Sequence, residues 1–180
     1  MELSPTAQKF VLHWGEMGTR WGVNRTVAQI HALLYLSERP LTADDIVDTL
    51  GVARSNVSNS LKELQSWKLV RVSHVLGDRR DHFLALQDVW EIFRVILEER
   101  KRREIDPTLT VLRECAIEGV EDQHLDPAML ARMQVVLEFL EMLSASYQDV
   151  RHLPPQTLQR VLKMGGKVVR YLGPKGKELL

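Results

Sequence analysis

The 180-residue sequence predicts a mainly α-helical protein with one small two-stranded β ribbon, and three observations carry that expectation. Residues 42–64 read as two helices on either side of Gly51, the second with Val57, Leu61 and Leu64 at helical spacing. Residues 69–86 read as two short apolar runs, Leu69-Val70-Arg71-Val72 and His82-Phe83-Leu84-Ala85-Leu86, around the turn Gly77-Asp78-Arg79-Arg80-Asp81. From Asp88 onward every apolar pattern steps by three or four, as helices do.

Taken in order, Ser4-Pro5 opens the first helix. Ser can cap, and Pro tolerates the first helical position because its missing N–H would be unpaired there anyway. The helix runs from about Pro5 to Met17 with Phe10, Trp14 and Met17 on one stripe, and Gly15, Gly18 and Gly22 loosen its end. A second helix, from about Arg25 to Ser37, shows Val27, Ile30 and Leu34 at helical spacing and stops before Pro40. Thr42-x-x-Asp45 is a capping-box variant that opens a third. That helix ends at Gly51, which is free to adopt positive φ. The polar-faced fourth helix and the hairpin complete the unit. Helix, tight turn, polar-faced helix and basic-tipped hairpin is the order of a winged helix-turn-helix, whose second helix lies in the DNA major groove.

After the hairpin, Asp88 caps a long helix through Trp90, Phe93 and Leu97 into Glu98-Glu99-Arg100-Lys101-Arg102-Arg103. Asp106-Pro107 marks a break, and a helix from about Thr108 to Gly119 follows. Asp126-Pro127 opens another, with Met129, Met133, Val136, Leu140, Leu143 and Tyr147 as its stripe. Pro154-Pro155 restarts the chain into a last helix through Leu158, Val161, Leu162, Val168 and Val169, fraying at Gly173-Pro174. The expected division is a winged helix-turn-helix DNA-binding domain over residues 1–87 and a helical dimerisation region over residues 88–180. The winged part has a core of its own, so the apolar stripes that follow must pack on each other or on a second copy. Palindromic DNA sites call for a two-fold protein, which favours the homodimer.

Composition narrows the function. The formal charge is zero, 24 basic against 24 acidic residues, so whole-chain electrostatics select no partner. Between Arg54 and His82 six basic residues face three acidic ones. A net +3 suits a sequence-reading module better than an indiscriminate polyanion binder, although ordinary surface charge accounts for it equally well. One cysteine, Cys115 in an apolar helical stretch, excludes an internal disulfide and any Cys-rich zinc site. No apolar run has membrane-spanning length and no signal-peptide pattern opens the chain, so a soluble, cytoplasmic protein with no membrane partner is expected.

The candidate DNA-binding residues are Arg54, Ser55, Asn56, Ser58, Asn59, Lys62, Arg79 and Arg80. With Val57 at the centre of the buried stripe and about 100° per residue, Leu61 and Leu64 fall beside it. Ser55, Asn59, Lys62 and Ser66 fall opposite, with Asn56 and Ser58 at the flanks. An idle surface helix shows Glu/Lys pairs there, and capping explains one or two short polar residues but not four in five positions. Asn suits bidentate contact with adenine, and Ser serves bases or phosphates. Arg54 sits in the first turn, within reach of a phosphate or base edge. Arg79 and Arg80 ride the tip of the ribbon, where an arginine can enter the minor groove or pair with phosphate. Asp78 and Asp81 bracket them and can neutralise or orient the pair.

Catalytic readings fare poorly. The six histidines, His13, His31, His74, His82, His124 and His152, show no metal-ligand spacing. Gly165-Gly166-Lys167 lacks a Walker-type loop and is expected to allow close helix approach instead. No nucleophile triad or glycine-rich phosphate loop stands out, so neither an enzyme nor a cofactor is expected. The competing class is a winged-helix protein-interaction module without DNA-binding activity. The Ser/Asn face and paired arginines speak against it, since an apolar face would serve a protein partner.

Three segments carry a family resemblance: Arg54-Ser55-Asn56-Val57-Ser58-Asn59-Ser60-Leu61-Lys62-Glu63-Leu64, Trp67-Lys68-Leu69-Val70 and Gly77-Asp78-Arg79-Arg80-Asp81. Together they resemble the MarR-like winged-helix regulators, and most of all the GbsR-type branch. The similarity is strongest over residues 42–86 and looser from Trp90 to Pro107. It implies a dimeric transcriptional regulator with a helical dimerisation region, and some members respond to small cationic osmolytes. Ala53 stands where such proteins often have a capping Ser, and Lys68 where a Gly often follows the Trp. No effector motif is matched. The aromatic faces available to a cationic small-molecule effector are Trp14, Trp21, Tyr35, Trp67, Trp90 and Phe93, for which core filling is the ordinary role.

Overall fold

The computed structural model describes residues 2–172, and its chain divides into two compact units, Met1–Ile96 and Leu97–Leu180. The first holds α1 (Pro5–Arg20), α2 (Arg25–Leu36), β1 (Leu41–Thr42), α3 (Ala43–Leu50), α4 (Arg54–Ser66), β2 (Val70–Ser73), β3 (His82–Ala85) and the start of α5 (Val89–Arg100). This is the winged helix-turn-helix order that the sequence predicts.

Local chemistry sets most boundaries. The Ser4 hydroxyl accepts from Ala7 N–H, the Asn24 side chain from Thr26 N–H, and Asp88 Oδ1 from Trp90 N–H at 2.8 Å. The capping box at α3 is complete: Asp45 N–H donates to Thr42 Oγ1 at 3.1 Å and Thr42 N–H to Asp45 Oδ2 at 2.9 Å. Gly51 closes α3 at φ 64°. The helix start at Ala53 has no side-chain cap.

Strand β3 is central, antiparallel to β2 with Val70 opposite Ala85 and to β1 with Leu41 opposite Phe83. The sequence predicts two strands. The third is two residues long, too short to alternate, and passes directly into the α3 cap. One core joins Ile30, Leu33 and Leu34 of α2, Ile46 of α3, and Val57, Leu61 and Leu64 of α4 with Leu41, Leu69, Val70 and Phe83. The predicted phase of α4 therefore holds, with its apolar stripe fully buried.

The α1 reading needs correction. The helix runs through Gly15 and Gly18 to Arg20, and its buried positions are Val11, Gly15 and Gly18, while Phe10, Trp14 and Met17 are half-buried. A Cβ on Gly18 would stand 2.5 Å from the Ala28 Cβ, so this glycine permits α1 to close on α2 rather than loosening a helix end.

The second unit begins within α5 and continues through α6 (Asp106–Glu121), α7 (Pro127–Arg151) and α8 (Pro155–Leu172). Asp106-Pro107 does not break the chain as expected. A π-helical turn, Lys101–Ile105, joins α5 to α6, and Pro107 sits in the first turn of α6. A wide turn spares the ring the clash that Pro makes in an α-helix interior. Arg113 of α6 pairs with Glu141 of α7 at 2.8 Å, and Tyr147 Oη donates to Glu98 at 2.5 Å. A Cβ on Gly165 would meet no atom within 4 Å among the described residues, so this glycine makes no close helix approach to them, and the surroundings of Gly166 and Lys167 lie outside what is described. The Gly173-Pro174 end lies outside the described residues.

Helix α7 carries two apolar faces. Leu130, Met133, Leu137, Leu140 and Tyr147 are half-buried within the unit. Val135, Val136, Phe139, Met142 and Leu143 are exposed, at spacings that place them on one stripe. Among the described residues of this unit, Leu109 and Leu158 are the buried large hydrophobics.

Candidate nucleic-acid interface

Helix α4 presents Arg54, Ser55, Asn56, Ser58, Asn59 and Lys62 to solvent, while Val57, Ser60, Leu61 and Leu64 point inward. Six of the eight side chains expected to contact DNA thus lie on the exposed surface of one helix. Beside it the turn of the wing is held by hydrogen bonds. Asp78 accepts from the Arg80 N–H at 3.0 Å and from its guanidinium Nη2 at 2.6 Å. Its carboxyl is thereby held well below the usual carboxylate range, chiefly by the Arg80 side chain and then by the Arg80 backbone. His82, buried at the root of the wing, places Nδ1 3.0 Å from the Arg80 carbonyl oxygen and Nε2 3.5 Å from Asp78.

The two arginines of the wing therefore differ. Arg80 is oriented by Asp78, whereas Arg79 is exposed and has no ion pair among the described residues. Arg54 is also engaged, by Asp44 in the first turn of α3. Both arginine side chains are more than half exposed, so such pairs are weakened by solvent and yield readily to a phosphate.

An open cleft of about 320 Å³ separates α4 from the wing. Arg54, Ser58 and Lys62 line one wall, Arg80 and Asp81 the other, and Thr42 and Asp44 meet them at the N-terminus of α3. Four of the eight candidate residues thus converge on one surface. Ser55, Asn56, Asn59 and Arg79 are exposed outside the cleft lining. Asp44 and Gln65 belong to this surface and escaped the sequence reading. Asp44 resembles any acidic residue placed at a helix N-terminus, and only the fold sets it against Arg54.

Among the described residues, the aromatic side chains do not gather into the cage a cationic ligand would use. Trp67 fills the core, Trp21 and Phe93 are exposed, and the ring pair brought together is Phe10 with Trp14, centroids 5.4 Å apart. Among the described residues no acidic, His or Cys cluster could hold a metal, and no helix is long and apolar enough to cross a membrane.

The family model described as MarR family matches residues 21–81. The HTH-type transcriptional repressor GbsR of Bacillus subtilis is 23% identical over 94 residues, which are 52% of this chain and 52% of that protein. The chain thus spans about half the length of the curated relative it matches. A crystal structure described as a transcriptional regulator is similar over 82% of this chain and 96% of its own, with a TM-score of 0.61 and 16% identity, a likeness of fold. A Staphylococcus aureus MepR mutant bound to an oligodeoxyribonucleotide aligns over 78% of this chain and 91% of its own at 18% identity, with a TM-score of 0.39, too low to carry any residue across.

Proposed function

We propose that the chain is a MarR-like winged-helix regulator, which binds double-stranded DNA as a homodimer and represses transcription in the cytoplasm. One observation carries the reading: α4 turns a Ser/Asn face outward from a fully buried stripe, with Arg80 of the wing across a shared cleft. In this reading Ser55, Asn56, Ser58 and Asn59 address base edges, and Arg54, Lys62, Arg79 and Arg80 address phosphates or the minor groove. Repression is supported by the relative named above, itself a repressor. The exposed stripe of α7 supports dimerisation, and with it the assignment of residues 1–87 to DNA and 88–180 to assembly. A small ligand that tunes DNA affinity is compatible with the resemblance, but no side-chain cluster among the described residues supports one.

Binding to duplex DNA that weakens steeply with salt is the expected result, because phosphate contacts release counterions. Fragments selected from a genomic library would supply the operator. A protein that binds no duplex at any salt concentration would turn attention to the protein-interaction module. Asn59→Ala should cost roughly 1–3 kcal/mol on the selected operator and little on random DNA. Its melting temperature should stay unchanged, since Asn59 is exposed. Loss of affinity on both DNAs alike would remove Asn59 from base reading.

The wing gives a different signature. Arg79→Ala combined with Arg80→Ala should weaken specific and random binding similarly and flatten the salt slope by about 2. An unchanged slope in the double variant would take the wing out of the interface.

A further inference from the structure

The wing ends in a hydrophobic residue that folding does not need. Val75 to Asp78 form a hydrogen-bonded turn, Asp78 N–H donating to the Val75 carbonyl at 3.1 Å, with Gly77 at φ 85°. Positive φ at the third of four residues is the type II pattern, which sets the second residue, Leu76, at the outer corner. Leu76 is 104% exposed, so none of the described residues shields it, and Val75 beside it is 42% exposed. Burying a leucine is favourable, and this one is held in water.

A lone apolar residue on a surface is ordinary. Leu76 is distinguished by its neighbours. It tops a ribbon whose strands pack into the core beside α4, with exposed Arg79 three residues on and Arg80 tied back to Asp78. An apolar point with a cationic shoulder is complementary to a DNA minor groove, where sugar walls present C–H surface between phosphate rims. Arginines enter narrow minor grooves, and leucines there wedge between base steps, partly unstacking them. A protein pocket is the other occupant an exposed leucine could have, but two adjacent arginines and the polar α4 face argue for the polyanion.

Resting on the DNA reading above, we propose that Leu76 is a minor-groove wedge through which the wing senses how easily the DNA step beneath it deforms. Arg79 supplies the charge, and Leu76 supplies a preference for flexible pyrimidine–purine steps at a position no hydrogen bond reads.

The test uses the full chain and the selected operator, with the step under the wing located by hydroxyl-radical footprinting. That step is set to TA in one duplex and embedded in an A-tract in another. Leu76→Ala should lose affinity on the order of tenfold on the TA duplex and little on the A-tract. Its salt slope and melting temperature should match the parent, because no phosphate contact or core packing is removed. The bend angle of the TA duplex, read by energy transfer between its ends, should fall. Equal losses on both duplexes, no loss on either, or an unchanged bend would overturn the wedge while leaving the DNA reading intact. Failure of the parent protein to bind any duplex would overturn the DNA reading itself, and the wedge with it.

Discussion

Leu143→Asp and Phe139→Asp are each expected to turn a dimer into a monomer of 20.7 kDa. In the proposed assembly the exposed stripe of α7 faces its symmetry mate, so each substitution places one uncompensated carboxylate per protomer inside a two-fold interface. Burial of a charge without a partner costs several kcal/mol, and the symmetry doubles it, which exceeds what an interface of one helical stripe per copy can absorb. The protomer should keep its helix content, because Phe139 and Leu143 are 53% and 45% exposed. Leu140→Asp is a poorer probe, since Leu140 is half-buried within its own unit and its loss disturbs the fold too. Sedimentation at micromolar concentration reads the outcome. A parent protein that sediments as a monomer, or Asp variants that remain dimeric, would refute the assembly. The monomers should also bind the operator far more weakly than the parent, because a two-fold site then offers one half-site at a time.

Features fixed by neighbours in sequence were legible. Thr42 and Asp45 cap α3, Gly51 ends it, and Asp88 and Asp126 open later helices through hydrogen bonds that span two or three residues. The stripe Val57, Leu61, Leu64 fixed the face of α4 for the same reason. Lys68, noted as standing where a glycine is frequent, adopts φ 61°, the conformation a glycine would take without strain. What stayed hidden depends on partners distant in sequence. Gly18 gains its meaning only from Ala28 across the α1–α2 crossing, and Asp44 only from Arg54. The π-helical turn before Pro107 reads like a chain break, because proline signals either outcome. The α7 stripe read from the sequence mixed residues of both faces, since 25 residues with apolar groups all around show no single phase.

Acidification from pH 6.5 to about 4 is expected to remove about 3 kcal/mol of stability from the winged unit through one residue, His31. His31 lies on α2 among core residues, 5% exposed, and its Nε2 has no hydrogen-bond partner among the described residues. Burial therefore disfavours the imidazolium and lowers its pKa from 6.5 to about 4. The unfolded chain accepts a proton at His31 as pH falls through 6.5, whereas the folded chain refuses it until about 4. In that window the unfolded state binds more protons, so stability rises with pH: the contribution is complete above 6.5 and lost progressively down to about 4. Asp45 acts lower, because its carboxyl is depressed below the usual carboxylate value by the Thr42 hydrogen bond, and its contribution is lost only as pH falls below that range. The two effects therefore separate along the pH axis. Denaturant unfolding at pH 7, 5.5 and 4.5 should show the parent losing stability steadily, while His31→Leu stays nearly flat over the same interval. A parallel loss in both proteins would move the acid sensitivity to other groups. Helix α2 packs against α4, and Ile30, Leu33 and Leu34 share one buried core with Val57, Leu61 and Leu64, so the same window should loosen the support of the proposed DNA-reading face. DNA affinity of the parent at pH 5 should accordingly carry a larger unfolding penalty than that of His31→Leu.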